Sequence, residues 1–151
     1  MSPGNESIQP PRSPQSSAEW ENYFDLRWRV LRAPWNQPRG SEKDAREKDG
    51  QHLMIAGPDL RPLAIGRLHF NNPAEAQVRF MAVDPAARGR GLGSAILEEL
   101  ERRARAAAAT SIILNARSDA QRFYAAHGFV VVGPAPTIFG AVKHVRMRKD
   151  L

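Results

Sequence analysis

The sequence predicts an α/β (α+β) fold in which helices flank one mixed sheet. Stretches with apolar residues spaced three or four apart alternate with short runs of strand-forming residues, and Gly, Pro and Asn separate them. The resulting order is helix, three strands, helix, strand, helix and two strands, which favours helices packed on a single sheet. The 151 residues, 42% of them apolar, suit one domain with its own core.

We expect residues 1–17 to form a disordered leader. This segment is rich in Pro, Ser and Gln, and such a composition cannot bury enough apolar surface to offset the entropy of ordering. Residues 18–151 are then the folded domain.

The first half of this domain is predicted to contain one helix and three strands. The helix covers 18–33 and ends before Pro34. Its buried face comprises residues at helical spacing: Trp20, Phe24, Arg27 or Trp28, and Leu31. A polar, charged loop follows. The strands form a meander with turn residues between them and are predicted at 52–57, 62–70 and 76–84.

The second half is predicted to add two helices and three strands. The longer helix covers 91–109, with an apolar stripe spaced four apart: Leu92, Ile96, Leu100 and Ala104. A shorter helix begins at Ser118, where Ser118 and Gln121 fit a capping box, and ends at Gly128. The strands are predicted at 111–116, 129–133 and 143–148.

The composition excludes several classes of function. The chain has no cysteine, which excludes disulfides, thiol nucleophiles and cysteine-ligated zinc, and we predict no metal site. No apolar run approaches the roughly 18 residues that span a bilayer, and no signal peptide is recognisable, so we expect a cytoplasmic protein without membrane contact. The net charge of +6 favours an anionic partner, but the chain lacks a nucleic-acid-binding motif, so no nucleic acid is expected.

A glycine-rich turn precedes the second helix and has the sequence Arg88-Gly89-Arg90-Gly91-Leu92-Gly93. Glycines allow a tight turn and close approach of an anion, and a helix N-terminus adds N–H donors and the positive end of its dipole. The turn therefore predicts a site for a di- or triphosphate. Two common phosphate-binding loops do not match this turn. A P-loop would need Lys-Ser or Lys-Thr where Ser94-Ala95 stands, and a dinucleotide fingerprint would need Gly-x-Gly-x-x-Gly, whereas this turn has Gly-x-Gly-x-Gly.

The remaining pattern, Arg88-x-x-Gly91-x-Gly93, resembles the acetyl-CoA signature of the GNAT superfamily of N-acetyltransferases. Upstream, FMAVDPAARGRGLG is similar to the family's Val-x-Pro-x-x-Arg-Gly-x-Gly-x-Gly run, and downstream, NARSDAQRFYAAHGF resembles its second cofactor motif. The likeness extends over residues 62–148. The tract LRWRVLRAPWNQPRGSEKDAREKDGQH and the final AVKHVRM further resemble a small bacterial subfamily of poorly characterised GNAT proteins.

The resemblance implies a mostly antiparallel sheet whose splayed strands hold acetyl-CoA as co-substrate. The backbone of Met81, Ala82 and Val83 would pair with the pantetheine arm and the thioester. The CoA pyrophosphate would be held by the N–H groups of consecutive residues, namely Arg88, Gly89, Arg90, Gly91, Leu92, Gly93 and Ser94. The Arg90 side chain either assists the phosphates electrostatically or is solvated.

Two further residues match positions of the family's second motif. Asn115 closes an apolar strand, where the family places an Asn that hydrogen-bonds the CoA arm; the alternative is a strand-end cap. Tyr124 matches the tyrosine that protonates the departing CoA thiolate, and a phenol beside sulfur can stabilise or protonate it. The alternative for Tyr124 is core packing beside Phe123.

The general base is not specified by the resemblance. Family members often carry a Glu on the strand before the loop, but residues 76–84 contain no such carboxylate. Bulk water is one alternative. The candidate side chains are the nearby His and Glu residues, namely Glu42, Glu47, His52, His69, Glu75 and His144.

The resemblance implies direct transfer of an acetyl group from acetyl-CoA to a primary amine of a small molecule or peptide. Acidic residues in the loop 39–49 either attract a cationic acceptor or are solvated. The alternative function is a non-catalytic acyl-CoA-binding module, and a homodimer is possible on family grounds. The family's first strand would fall in residues 5–16, where three prolines argue against a central strand. Either an edge strand forms around Ile8 or this strand is missing.

Overall fold

The computed structural model describes residues 9–151. The predicted order of helices and strands is confirmed, with two 3-10 turns, Pro85–Ala87 and Ser118–Ala120, added before the later helices. The helices are α1 (Ser17–Leu31), α2 (Leu92–Ala106) and α3 (Gln121–Ala126). The strands are β1 (Gln51–Ala56), β2 (Pro62–Asn72), β3 (Glu75–Val83), β4 (Ser111–Arg117), β5 (Val130–Ile138) and β6 (Val142–Asp150).

The six strands form one sheet in the order β1-β2-β3-β4-β6-β5. β3 pairs with β4 in parallel, whereas β6 is antiparallel to both β4 and β5. This arrangement confirms the predicted α/β fold class. β5 extends beyond the predicted strand 129–133 and contains Pro134 and Pro136. Proline is tolerated in β5 because an edge strand leaves one row of N–H groups without a strand partner.

Two compact units are distinguishable among the described residues. The first comprises the residues up to Arg67 together with Phe80–Glu99, and the second comprises Leu68–Arg79 together with Leu100–Leu151. The first unit has a core of buried residues from α1, β1, β2 and β3, namely Tyr23, Leu26, Met54, Ala56, Ile65 and Ala82. Buried residues of the second unit include Ile112, Leu114, Tyr124, Phe129 and Met147.

The segment before α1 makes specific contacts. Residues 1–8 of the predicted leader, and Ile8 of the possible edge strand, lie outside the described residues. Arg12 forms a two-bond antiparallel bridge with Met54 of β1, with N···O distances of 2.9 and 2.7 Å. Its guanidinium also forms a bidentate pair with Glu19, both bonds being 2.8 Å long, and this pairing lowers the pKa of Glu19 to about 2.

α2 buries the predicted stripe. Leu92, Ile96, Leu100 and Ala104 are all at most 2% exposed, as expected for apolar residues spaced four apart. On its polar side, Glu101 pairs with Arg105 one turn later. Among the helices of residues 9–151, none is both long and apolar enough to cross a membrane.

The predicted capping box at Ser118 is wrong. Ser118 opens a 3-10 turn, and its hydroxyl donates to the carbonyl of Lys143 in β6 at 3.3 Å. α3 begins after Ala120, which provides no side-chain cap. The hydroxyl is therefore used to tie the start of this segment to the neighbouring strand.

The N-cap of α1 provides a test of how this helix is held. The Ser16 side chain accepts a hydrogen bond from the Glu19 N–H at 3.1 Å. We expect Ser16→Ala to lower the free energy of unfolding by about 1 kcal/mol, because a helix donor loses its partner. Ser17→Ala, one residue later, should change it by less than about 0.5 kcal/mol. Urea denaturation followed by circular dichroism measures both, and equal effects would contradict the capping role.

Candidate functional site

The glycine turn follows directly from the end of β3. Asp84 fixes this end: its N–H donates to the Leu63 carbonyl at 2.8 Å, and its carboxylate accepts from the Ala86 N–H at 2.9 Å. The chain then passes through a 3-10 turn. Gly89 and Gly91 have φ values of +79° and +76°, in the left-handed region that glycine adopts without a steric penalty. Backbone conformation thus explains two of the three glycines.

The turn leads into the N-terminus of α2 with its donors available. The Gly91 carbonyl accepts from the Ala95 N–H at 3.1 Å and so begins the helix, while buried Leu92 anchors its first turn. The first N–H groups of a helix have no partner within it and carry the positive end of the dipole. Beside Gly89 and Gly91 there is open space, since a Cβ added to either would meet no atom within 4 Å. An anion can therefore approach this backbone closely.

Only the first part of β3 pairs with β4. Within residues 9–151, the β3–β4 ladder covers Glu75–Gln77 and Ser111–Ile113, although β3 continues to Val83 and β4 to Arg117. The backbone of Met81, Ala82 and Val83 lies beyond this ladder. Side chains of β3 alternate between buried and more exposed positions as predicted. The strand begins one residue earlier than expected, so its first residue is Glu75.

A buried polar cluster lies in the same unit as the turn. The side chains of Arg27 in α1 and Arg67 in β2 have no solvent-exposed surface. Arg67 forms a bidentate pair with Asp44, at 2.6 and 2.9 Å, and its Nη1 lies 3.2 Å from Glu47 Oε1. Arg27 donates to Glu47 Oε2 at 2.9 Å. Two cations are therefore balanced by two carboxylates from the charged loop.

His52 completes this cluster as a neutral imidazole. Its Nε2 lies 2.7 Å from the Glu47 carbonyl oxygen, which can only accept, so Nε2 carries the proton and Nδ1 accepts from the Tyr23 hydroxyl at 2.8 Å. The Tyr23 hydroxyl in turn accepts from Arg27 at 3.1 Å. Burial lowers the pKa of His52, and the charges of Arg27 and Arg67 act in the same direction. Burial also raises the pKa of Tyr23 to about 12.

The proposed acid, Tyr124, lies in the second unit on α3. Its side chain is buried against Phe123 and Phe129, with ring centroids 5.0 and 6.0 Å away. Burial raises its pKa, an effect that the charge of Arg117 partly opposes. The phenol therefore remains protonated at physiological pH, as a hydrogen-bond donor or acid must.

The sheet register places two other candidates of this unit. Exposed Asn115 on β4 is opposite Arg146, and His144 on β6 is opposite Arg117. Directly opposed residues of antiparallel strands point to the same face. His144 Nδ1 lies 3.0 Å from the Val142 carbonyl oxygen, so Nδ1 carries the proton and the basic nitrogen is Nε2.

A second group of base candidates is linked by hydrogen bonds. Asn71 donates to Glu75 Oε1 and Gln77 Oε1, both at 3.0 Å, and its Oδ1 lies 3.2 Å from His69 Nε2. An amide oxygen only accepts, so His69 donates through Nε2. His69 is 5% exposed, whereas His144 is only half-buried. Solvent and substrate can therefore reach His144 more easily.

The remaining base candidates have structural partners. Buried Glu42 accepts from the Gly40 N–H at 2.8 Å and so closes its own loop. Glu47 and His52 belong to the arginine cluster described above. These three side chains stabilise the charged loop, which indicates a structural role for its acidic residues.

Sequence reasoning missed the importance of Arg27, Arg67 and Asp44. The sequence pattern suggested Arg27 only as one alternative on the buried face of α1. A usable signal was present. Arg67 interrupts the largely apolar run PLAIGRLHF, while four carboxylates stand before it in the loop 39–49. A charged residue in a buried strand requires an opposite charge nearby.

Comparison with known proteins identifies the family. A family model described as the acetyltransferase (GNAT) family matches residues 20–129, which is more than half of the chain. The chain belongs to this family. The matched region includes most of α1, the glycine turn and Tyr124, so the resemblance read from the glycine pattern is confirmed at the level of the family.

Bacterial relatives support this assignment. The uncharacterized N-acetyltransferase YjcF of Bacillus subtilis is 26% identical over 136 residues, which cover 90% of this chain and 96% of the relative. An acyl-CoA N-acyltransferase from Pseudomonas aeruginosa has a similar structure, with a TM-score of 0.78, 26% identity and coverage of 95% and 99% of the two chains. Rv2747 from Mycobacterium tuberculosis, solved in complex with CoA, has a TM-score of 0.71, 20% identity and coverage of 93% and 98%.

The neutral state of His52 predicts the acid stability of the protein. An unfolded His binds a proton below pH about 6.5, whereas folded His52, with its lowered pKa, does not. The unfolded chain therefore gains protons as the pH falls, and folding stability should decrease from pH 7 to pH 5 by up to about 1.4 kcal/mol per pH unit.

The test compares wild type with His52→Gln in urea at several pH values. We expect the variant to be less stable at pH 7, because it alters the contacts with Tyr23 and Glu47, but to have a flatter pH dependence. Parallel curves would show that His52 does not carry this dependence.

Proposed function

We propose that the protein transfers an acetyl group from acetyl-CoA to a primary amine of a small molecule or peptide. The observation that carries this proposal is the glycine turn: two left-handed glycines, open space beside them, and the N-terminus of α2 directly behind. Such an arrangement suits a pyrophosphate. Family membership and the CoA bound to Rv2747 support CoA as its source.

The chain offers backbone groups to both parts of the co-substrate. The N–H groups from Arg88 to Ser94 hold the pyrophosphate, and the exposed Arg88 and Arg90 add positive charge. The backbone of Met81, Ala82 and Val83, beyond the β3–β4 ladder, pairs with the pantetheine arm. In the second unit, Asn115 has an exposed amide, to which the family resemblance gives a role in hydrogen-bonding CoA.

The chemistry requires one proton acceptor and one donor. The neutral amine attacks the thioester carbon, a C–N bond forms and the C–S bond breaks, so the amine loses a proton and sulfur gains one. No cysteine can take the acetyl group first, which favours direct attack. The Tyr124 hydroxyl donates to the departing sulfur, and its raised pKa keeps the required proton in place.

For the proton of the amine we favour His144 over His69 and Glu75. His144 is only half-buried, and its hydrogen bond to the Val142 carbonyl leaves Nε2 as the basic nitrogen. His69 is nearly inaccessible and the Glu75 carboxylate is engaged by Asn71. Water serves as base if His144 proves dispensable. We also propose that this reaction takes place in the cytoplasm.

A second candidate function is that of a module that binds acyl-CoA without catalysing acyl transfer. On the face of β3 that carries Met81, the residues between Glu75 and Met81 are Gln77 and Arg79. Neither side chain is a base. To distinguish the two candidate functions, both the binding of acetyl-CoA and its turnover must be measured. Calorimetric titration with acetyl-CoA tests the first, and a thiol-release assay across amines, polyamines, aminoglycosides and peptide N-termini tests the second. Binding without thiol release on any amine would favour the module, and no binding would reject both.

Replacement of Tyr124 tests the donor role. On an amine that supports turnover, we expect Tyr124→Phe to lower kcat by about 100-fold, because loss of one hydrogen-bond donor to a developing negative charge typically costs about 10²–10³-fold. The KM for acetyl-CoA should be unchanged, since the aromatic ring remains. Phe123→Leu, at the adjacent position of α3, is the control and should retain most of the activity. An unchanged kcat in Tyr124→Phe would exclude the role.

A glycine substitution tests the diphosphate site. Gly91→Ala places a side chain at φ +76°, a conformation that disfavours an L residue by about 1–2 kcal/mol. We expect the turn to relax and its N–H groups to shift, so that the affinity for CoA falls about tenfold. Gly133→Ala is a matched control, because Gly133 has ordinary φ and equally open surroundings. Calorimetry with CoA measures both variants, and equal affinities would contradict the assignment.

A further inference from the structure

Phe80 has an unusual backbone conformation for a strand residue. Its φ is +59°, in the left-handed region where a bulky non-glycine residue is an outlier. It lies within β3, immediately before the segment Met81–Val83. Residues in such conformations persist when surrounding contacts over-determine them, and they concentrate at functional sites. The contacts that hold Phe80 are therefore relevant to that segment.

Three guanidinium groups surround the Phe80 ring. The Cζ atoms of Arg27, Arg67 and Arg32 lie 4.0, 4.9 and 5.6 Å from its centroid. A guanidinium within about 6 Å of an aromatic ring is attracted to its electron-rich face, most strongly where water is excluded. The ring is only 6% exposed, and Arg27 and Arg67 are fully buried. Phe80 is thus held by its side chain from several directions.

The two fully buried arginines are held in turn by the charged loop. Arg67 donates to the Asp44 carboxylate through Nη1 and Nη2. Glu47 accepts from Arg27 and lies next to Arg67. Glu47 Oε2 also accepts from the Asp44 backbone N–H at 2.8 Å, which ties the Glu47 side chain to the backbone of the loop. A chain of contacts therefore runs from the loop through the arginines to Phe80.

Stability alone does not explain this arrangement. Burying two ion pairs is expensive in desolvation, and well-packed apolar residues of similar volume often stabilise a protein equally well or better. A planar guanidinium fixed by a bidentate carboxylate does, however, define the position of an aromatic ring more narrowly than an apolar contact does. The arrangement therefore fits a requirement to fix the position of the Phe80 ring.

We propose that Arg27, Arg67 and Phe80, the arginine–phenylalanine cluster, position the backbone of Met81–Val83 for the arm of acyl-CoA. This inference rests on the proposed function of that segment. The cluster acts through the strand and does not touch the co-substrate. Its loss should weaken binding of the pantetheine arm and leave the pyrophosphate turn intact.

The test uses two ligands that differ in the arm. CoA contains it, whereas 3′-phospho-ADP is CoA without pantetheine and reaches only the glycine turn. We expect Phe80→Leu, which keeps apolar bulk but removes the aromatic face, to weaken CoA binding about tenfold and 3′-phospho-ADP binding less than twofold. Arg39→Gln is the control: Arg39 also stacks on an aromatic ring, that of Trp28, but is largely exposed. It should change neither affinity.

A second variant addresses the arginines directly. Arg67→Lys retains the charge that pairs with Asp44 but loses the planar group that faces Phe80. We expect the same selective loss for CoA, about fivefold, and in the Phe80→Leu background Arg67→Lys should have little further effect. Calorimetry measures all affinities, and circular dichroism confirms folding.

The possible outcomes separate the two proposals. Equal weakening of both ligands, or no weakening in either folded variant, would overturn the positioning role, because a general loss of structure does not distinguish the ligands. Failure of the wild-type protein to bind CoA at all would instead overturn the proposed function.

Discussion

The structure of the first unit depends on the burial of Arg27 and Arg67. A guanidinium cannot lose its proton in a protein, so a fully buried arginine must find anions or carbonyls around it. The loop carrying Asp44 and Glu47 supplies them and is thereby fixed against α1 and β2. Because the two cations are balanced by two carboxylates, His52 must remain neutral beside them, which agrees with its lowered pKa.

This constraint separates two kinds of chemistry within one unit. The interior of the unit uses charged side chains that pair with one another, and these carry structure. The glycine turn instead has open space beside the backbone of Gly89 and Gly91, and the side chains of Arg88 and Arg90 are exposed. Backbone donors are set by main-chain geometry, so a diphosphate site of this kind requires that the strand before it and the helix after it are rigid.

The sequence predicted the order of helices and strands because the apolar periodicities are long and regular, as in α2. It failed where tertiary pairing overrides local preference. Pro134 and Pro136 lie in a strand because that strand is at the edge of the sheet, and Ser118 bonds to β6 instead of capping α3. The glycine turn was predictable because its glycines serve local backbone geometry. The pairing of Arg67 with Asp44 was not, because 23 residues separate them and no local pattern encodes that contact.

The two buried tyrosines illustrate how environment assigns a role. Tyr23 is engaged by Arg27 and His52, so its hydroxyl is structural despite a raised pKa. In Tyr124 burial also raises the pKa, and this has a consequence for the proposed reaction. An ordinary thiol has a pKa near 8.5 and an ordinary phenol near 10, so full proton transfer from phenol to thiolate is unfavourable by about 2 kcal/mol or more. We therefore infer that Tyr124 stabilises the departing sulfur mainly as a hydrogen-bond donor, and that the proton finally acquired by CoA comes from the amine or from water.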